Sequence, residues 1–157
     1  MPPLTPSQPL SPAEFSSIVR LAPLVSIDLI IRNAQDEVLL GLRSNEPAKG
    51  FYFVPGGMIR KGERLGEAFA RILKDETGLT ADFAAARLVG VYEHFYDNNR
   101  FNEASYGTHY VALGYEIGLV DVSALASDDQ HSELDWWDEG ALLASSTVHH
   151  NTKAYFR

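Results

Sequence analysis

Between Phe53 and Leu79 the chain reads FVPGGMIRKGERLGEAFARILKDETGL, and a glycine pair, an amphipathic helix and neighbouring carboxylates fall close together there. Leu65, Phe69, Ile72 and Leu73 recur at helical spacing, which predicts a helix from about Glu63 to Thr77 with one stripe against a core. Gly78 stands where a left-handed residue stops a helix. Glu76 follows Ile72 by one turn and Asp75 lies beside it, so two carboxylates share the end of the helix. Like charges so placed repel unless a cation lies between them, and a hard divalent ion with oxygen ligands answers that need. Pro55-Gly56-Gly57 lets backbone come close to such an ion, because glycine has no Cβ and tolerates positive φ. A backbone carbonyl could then join the carboxylates as a ligand.

The elements that must position this segment can be read on either side of it. Ser11-Pro12-Ala13-Glu14 has the form of a capping box and predicts a short helix to about Arg20 after a proline-rich tail at residues 1–10. Phe15 in that helix is a candidate core anchor. Leu24–Arg32 and Glu37–Leu42 read as strands joined by a turn, and Phe51–Val54 as a short strand leading into the glycines. Asp28 is out of place in its apolar strand, since a carboxylate is costly to bury without partners. It lies either at an edge or solvent-facing position, or at a site where it accepts hydrogen bonds from a base such as guanine. Arg43, at a strand end, is either a surface charge or a fork for a diphosphate. Arg87–Tyr96 and Gly107–Ile117 form a hairpin with a long polar loop, the kind of loop that often borders a site. Leu134–Trp137 reads as a short strand, Asp138 as a helix cap, and His149–Phe156 as one or two helical turns. This order fits an α/β fold, with the residues from 11 to 157 as one domain.

Composition bounds the function classes. With 157 residues, 45% hydrophobic and 22% charged, the chain has the make-up of a soluble globular protein. No apolar run reaches membrane-spanning length, and there is no secretory signal pattern. The formal net charge of -8 argues against nucleic acid as a partner, which would need a basic surface. The absence of cysteine excludes disulfides and cysteine-ligated zinc, and it fits a reducing cytoplasm.

The central segment resembles the signature of the Nudix hydrolases, G-x5-E-x7-R-E-U-x-E-E-x-G-U, with U aliphatic. Gly57, Glu63, Arg71, Leu73, Glu76, Gly78 and Leu79 fall on it at the right spacing, whereas Ile72 and Asp75 replace two of its glutamates. The resemblance implies an α/β/α sandwich around a mixed β-sheet. Outside the signature, PLVSIDLI, FVPGG, HFYD, THYVALGYE, DDQH and LLASSTVHHNTKAYF are similar to the GDP-mannose mannosyl hydrolase branch, which also lacks the glutamate at the position of Ile72. In that branch water attacks the anomeric carbon of the sugar with inversion and GDP leaves.

For this chain the narrower resemblance implies Mg²⁺, or Mn²⁺, held by the carbonyl of Gly56, Glu76 and the side chain of Gln130. It implies His131 as general base, Arg43 and Tyr110 at the diphosphate, Phe15 and Asp28 at the guanine, and a homodimer acting on a GDP-hexose. Imidazole suits a base that works near neutral pH. His131 stands out from the other four histidines because SDDQHSE matches as a block; His94 is a secondary candidate at the sugar, and His109, His149 and His150 receive no catalytic role. Met58 stands where the branch has an arginine that assists the diphosphate, and a thioether cannot donate to phosphate. Arg60, two residues on, is the residue that could reach instead.

Overall fold

The computed structural model describes residues 8–119, 121–125 and 133–157. The expected tail at residues 1–10 lies largely outside the described residues. Helix α1 spans Pro12–Leu21 and starts with the predicted capping box, in which Ser11 Oγ accepts from the Glu14 amide and the Glu14 carboxylate accepts from the Ser11 amide.

Strand β1, Leu24–Arg32, is the axis of the sheet. One edge runs parallel to β6, Thr108–Gly118, in unbroken register from Leu24↔Tyr110 to Arg32↔Gly118. Its other edge is shared antiparallel by two short partners. β4, Gly56–Met58, lies beside residues Ser26 to Asp28, and β2, Val38–Leu42, joins at Arg32. β3, Tyr52–Phe53, and β7, Leu134–Trp137, pair with β2, and β5, Arg87–Tyr96, closes the far side against β6. The result is a mixed seven-stranded sheet.

Alternation along β1 divides the core into two layers, because successive side chains of a strand point to opposite faces. Ile27, Leu29 and Ile31 face helix α2, Leu65–Thr77, and bury Phe69, Ile72 and Leu73 with Tyr115 and Ile117. Ile30 faces the other way with Val38, Leu40 and Val54, under helix α3, Glu139–Ala144, and the C-terminal turns, which contribute Leu142, Val148 and Tyr155. Burial of each large apolar side chain is worth roughly 2 kcal/mol, so both layers anchor β1 firmly. The last turns comprise α4, His150–Lys153, and a 3₁₀ turn, Ala154–Phe156. The α/β/α sandwich expected from the resemblance is the architecture found.

Three local expectations change. Helix α2 begins at Leu65, leaving Glu63 outside it. The glycine pair is a strand, β4, with no positive φ, while Gly78 has the left-handed conformation expected of it. Asp28 does not lie at an edge, since β1 has neighbours on both sides, and it is half-buried.

Candidate active site

Glu63 and Arg71 lock β4 to α2. Arg71 Nε donates to Glu63 Oε1 at 2.5 Å, while Nη2 donates to Glu63 Oε2 and to the Met58 carbonyl, both at 2.9 Å. Glu63 Oε2 also accepts from the Arg60 amide at 2.7 Å. The Glu63 side chain is only 5% exposed, and its hydrogen bond to Arg71 holds the carboxyl below its usual range. Thus two of the signature residues are structural: they fix where the glycine strand meets the helix. Ile72 completes that junction, since a Cβ on Gly57 would sit 3.2 Å from its Cγ1, and the side chain is fully buried. Ile72→Glu is therefore expected to lower stability by roughly 3 kcal/mol at pH 7, because the new carboxylate must either ionise in the core or take up a proton. Urea unfolding of the purified variant measures this, and a loss below 1 kcal/mol would show that the junction can open to admit a charge.

Asp28 occupies a socket built by the absence of side chains. Its neighbours across the sheet are both glycines, Gly56 on β4 and Gly114 on β6. A Cβ on Gly56 would approach Asp28 Oδ1 to 2.6 Å and the Ile27 carbonyl to 2.8 Å. The space beside Gly114 is filled by the Tyr155 ring, whose hydroxyl donates to Asp28 Oδ2 at 2.5 Å. Asp28 keeps only part of its surface open, and burial pushes its carboxyl up to about 6 against the pull of Tyr155 and the Arg43 charge.

Around this carboxylate stand groups with unused hydrogen-bonding capacity. Arg43 packs its guanidinium over the Phe53 ring at 5.2 Å, and its buried Nε has no partner among the described residues. His94 is 5% exposed and its Nε2 likewise lacks a partner. Burial, then the neighbouring His150, lowers it to about 4, so it is neutral at pH 7. Tyr96 accepts from Asn151 Nδ2 at 3.0 Å and is pushed up to about 12 by burial. Unsatisfied buried polar groups are rare in folded proteins, so these two, Arg43 Nε and His94 Nε2, point to a polar ligand.

Beside them opens a cleft of about 410 Å³, solvent-side space included, lined by Phe15, Val19, Arg43, Asn45, Glu46, Pro47, Arg100, Thr108 and Tyr110. Of the residues singled out in the sequence, Phe15, Arg43 and Tyr110 meet here. Asp28 is not among its walls; it stands at Gly56. His94 belongs to the Asp28–Tyr155 group, its ring 6.1 Å from that of Tyr155. Arg60 does not line the cleft and uses its amide to cap Glu63. Glu76 lies exposed near the end of α2, and Asp75 is 3.9 Å from Arg71. Gln130 and His131 lie outside the described residues. Among the described residues no group of three or more His, Cys, Asp or Glu side chains forms a metal site. The proposed set is instead a carbonyl, a carboxylate and a carboxamide, oxygen donors of the type a hard divalent cation takes.

No residue pattern singles out Tyr155, Asn151 or His149 separately. His149 caps α4 through Nδ1, which accepts from the Asn151 amide, and stacks on Phe53 at 4.6 Å. The block LLASSTVHHNTKAYF contains all three, but only the packing of the C-terminal turns under β1 reveals what they touch.

A mixed sheet between two helical layers, with a glycine strand locked onto a helix by an Arg–Glu pair, places the protein among the α/β/α sandwiches. The NUDIX domain model matches residues 22–156, and the chain belongs to the Nudix hydrolase family. It is 44% identical over 121 residues to the low-salt glycan biosynthesis protein Agl8 of Haloferax volcanii, covering 77% of this chain and 74% of that protein. It is 42% identical over 118 residues to an ADP-ribose pyrophosphatase of Methanocaldococcus jannaschii, covering 75% of this chain and 63% of the relative. Among solved structures, a MutT protein from Methanosarcina mazei Go1 aligns with a TM-score of 0.67 at 24% identity over 85% of this chain and 91% of the other. The NUDIX domain of Shewanella oneidensis NrtR, complexed with ADP ribose, aligns at 0.64 and 20% identity over 94% and 97%. These last two likenesses concern the fold.

Proposed function

We propose that the enzyme hydrolyses GDP-hexoses, GDP-mannose first and GDP-glucose second, to GDP and free hexose by attack of water at the anomeric carbon with inversion. The observation that carries this reading is Ile72, which takes the place of a signature carboxylate and is sealed in the core against Gly57. An aliphatic side chain ligates nothing, so the metal-binding set suited to attack at phosphorus is short by one carboxylate. The 44% identical relative, named for glycan biosynthesis, fits a sugar-bearing substrate.

In this reading the carbonyl of Gly56, Glu76 and Gln130 would hold Mg²⁺ or Mn²⁺, which would supply positive charge for the departing diphosphate. Arg43 supplies a donor that has no partner among the described residues, and Tyr110 lines the same cleft. Neutral His94 offers an unpartnered ring nitrogen to a sugar hydroxyl. Asp28, held by Tyr155 next to Gly56, is assigned with Phe15 to the guanine. His131 takes the proton from the attacking water, the new C–O bond forms, and the bond from the anomeric carbon to the diphosphate oxygen breaks. Phe15 provides the face on which the base stacks.

A second reading is a pyrophosphohydrolase that cuts between the phosphates, and the 42% identical relative named ADP-ribose pyrophosphatase favours it. Hydrolysis of GDP-mannose with Mg²⁺ in ¹⁸O-labelled water separates the two. Label in the free hexose with unlabelled GDP is the expected result. Label in GMP or in a sugar phosphate would establish the pyrophosphohydrolase, and no turnover would leave a binding module.

A further inference from the structure

Asp28 and Arg43 carry opposite charges close enough to act on each other. Burial raises the Asp28 carboxyl, and the Tyr155 hydrogen bond, the Arg43 charge and the Ser26 hydroxyl pull against it, in that order. Opposite charges that are partly withdrawn from water attract more strongly than in bulk solvent. Yet among the described residues no ion pair joins these two. The Arg43 guanidinium lies over the Phe53 ring, with Nε buried and without a partner among the described residues. Asp28 has its Oδ2 committed to the Tyr155 hydroxyl at 2.5 Å, while Oδ1 lies on the Gly56 side.

Tyr155 is well mounted for that contact. It is 7% exposed, its ring fills the space beside Gly114, and it meets the Tyr92 ring edge to face at 4.5 Å. The turns that carry it are tied down before the residue is reached. Tyr52 donates its amide to the Thr147 carbonyl at 2.9 Å and accepts from the His149 amide at 3.2 Å, and Asn151 Nδ2 donates to the Tyr96 hydroxyl at 3.0 Å. The phenol oxygen is therefore fixed by β3, β5 and β6 together.

We infer that Tyr155 is a positioning residue that keeps Asp28 from neutralising Arg43, so that both charges stay open to the ligand. A neutral O–H donor satisfies one carboxylate oxygen with a short, strong hydrogen bond and leaves the net charge in place. It also leaves the guanidinium donors unused. Without the hydroxyl, a half-buried carboxylate would keep only Ser26, and an unpaired buried carboxylate is costly. The nearby cation is then its best partner, and an Arg43 so engaged has fewer donors for a diphosphate. The inference rests on the proposed nucleotide ligand, though not on which bond is cut.

Calorimetric titration of the full chain with inorganic pyrophosphate and with GDP, each with Mg²⁺, tests it; pyrophosphate reports on Arg43 without involving the base. Tyr155→Phe keeps the ring against Gly114 and Tyr92 and is expected to weaken both ligands about tenfold or more, the effect of losing a hydrogen bond to a charged group. Asp28→Asn alone is expected to tighten pyrophosphate by only about threefold, through the removal of a charge that is not paired with Arg43. Added to Tyr155→Phe, the same Asp28→Asn change is expected to recover about tenfold, because the competitor for Arg43 is gone. Wild-type affinity for pyrophosphate in a folded Tyr155→Phe would overturn the inference, as would an equal loss with and without Asp28→Asn. Tightening of tenfold or more by Asp28→Asn alone would show that the pair already exists in wild type, and it decides the matter even if Tyr155→Phe fails to fold. If the expected pattern is found but GDP-mannose yields GMP, the inference stands and the proposed reaction falls; if Tyr155→Phe binds as wild type while GDP and hexose are produced, the reverse holds. Failure of wild type to bind either ligand would overturn both.

Discussion

Gly56→Ala is expected to lower stability by roughly 3–5 kcal/mol and to reduce turnover by roughly a hundredfold or more in whatever fraction remains folded. The added methyl would stand 2.6 Å from Asp28 Oδ1 and 2.8 Å from the Ile27 carbonyl. The carboxylate cannot swing aside freely because Tyr155 holds it, and the carbonyl belongs to the central strand with neighbours on both edges. Strand β4 must therefore move off β1, displacing both the Gly56 carbonyl and Asp28. Gly57→Ala provides the control: the nearest atoms to its methyl would be Ile72 side-chain carbons, at 3.2 to 3.5 Å, which can shift, so roughly 1–2 kcal/mol is expected. Thermal unfolding and GDP-mannose turnover of the two variants, measured side by side, check the contrast. Equal effects would mean that the Asp28 socket has slack.

Asp28 and His94 are expected to tilt the pH dependence of stability in opposite directions. Asp28 is raised from 3.8 to about 6, so the folded protein holds that proton more tightly than the unfolded chain. Its contribution is fully present below pH 3.8 and is lost as pH rises through 6. His94 is lowered from 6.5 to about 4, so the unfolded chain takes up the proton first. Its contribution is present above pH 6.5 and is lost as pH falls toward 4. Each shift corresponds to roughly 2–3 kcal/mol across its window. His149, also lowered to about 4 by burial and by His150, adds to the His94 side with a smaller weight because it is more exposed. Wild type is accordingly expected to lose stability modestly between pH 6.5 and 4. Asp28→Asn should make that loss steeper by roughly 2–3 kcal/mol, and His94→Gln should make it shallower by a similar amount. Urea unfolding at pH 4, 5 and 6.5 for the three proteins measures the slopes. Parallel slopes would show that neither group titrates differently in the folded state.

Periodicity and capping signals gave the elements with boundaries close to those found. β1 at Leu24–Arg32, β5 at Arg87–Tyr96 and β7 at Leu134–Trp137 have the expected limits, and the Ser11 capping box is present. These features are local: they depend on hydrogen bonds and side-chain alternation within a few residues, so a single sequence carries them. The signature spacing was equally legible, and it identified the Glu63–Arg71 lock by residue even though its structural role was not evident.

Where Asp28 sits was decided by residues far apart in the chain. Its socket needs Gly56, Gly114 and Tyr155, which come from β4, β6 and the C-terminal turns and share no local pattern. The glycine pair misled for a related reason. Glycine marks a place where a Cβ will not fit, and sequence cannot say whether the obstacle is a left-handed φ or a neighbouring chain. At Gly56 it is the neighbouring chain. The sequence by itself determined the family, the order of the elements and the absence of a carboxylate at Ile72, because each is a matter of residue type at fixed spacing. Only the tertiary structure decided which polar groups are left without partners and which are already satisfied, because that depends on desolvation and contact across the whole sheet.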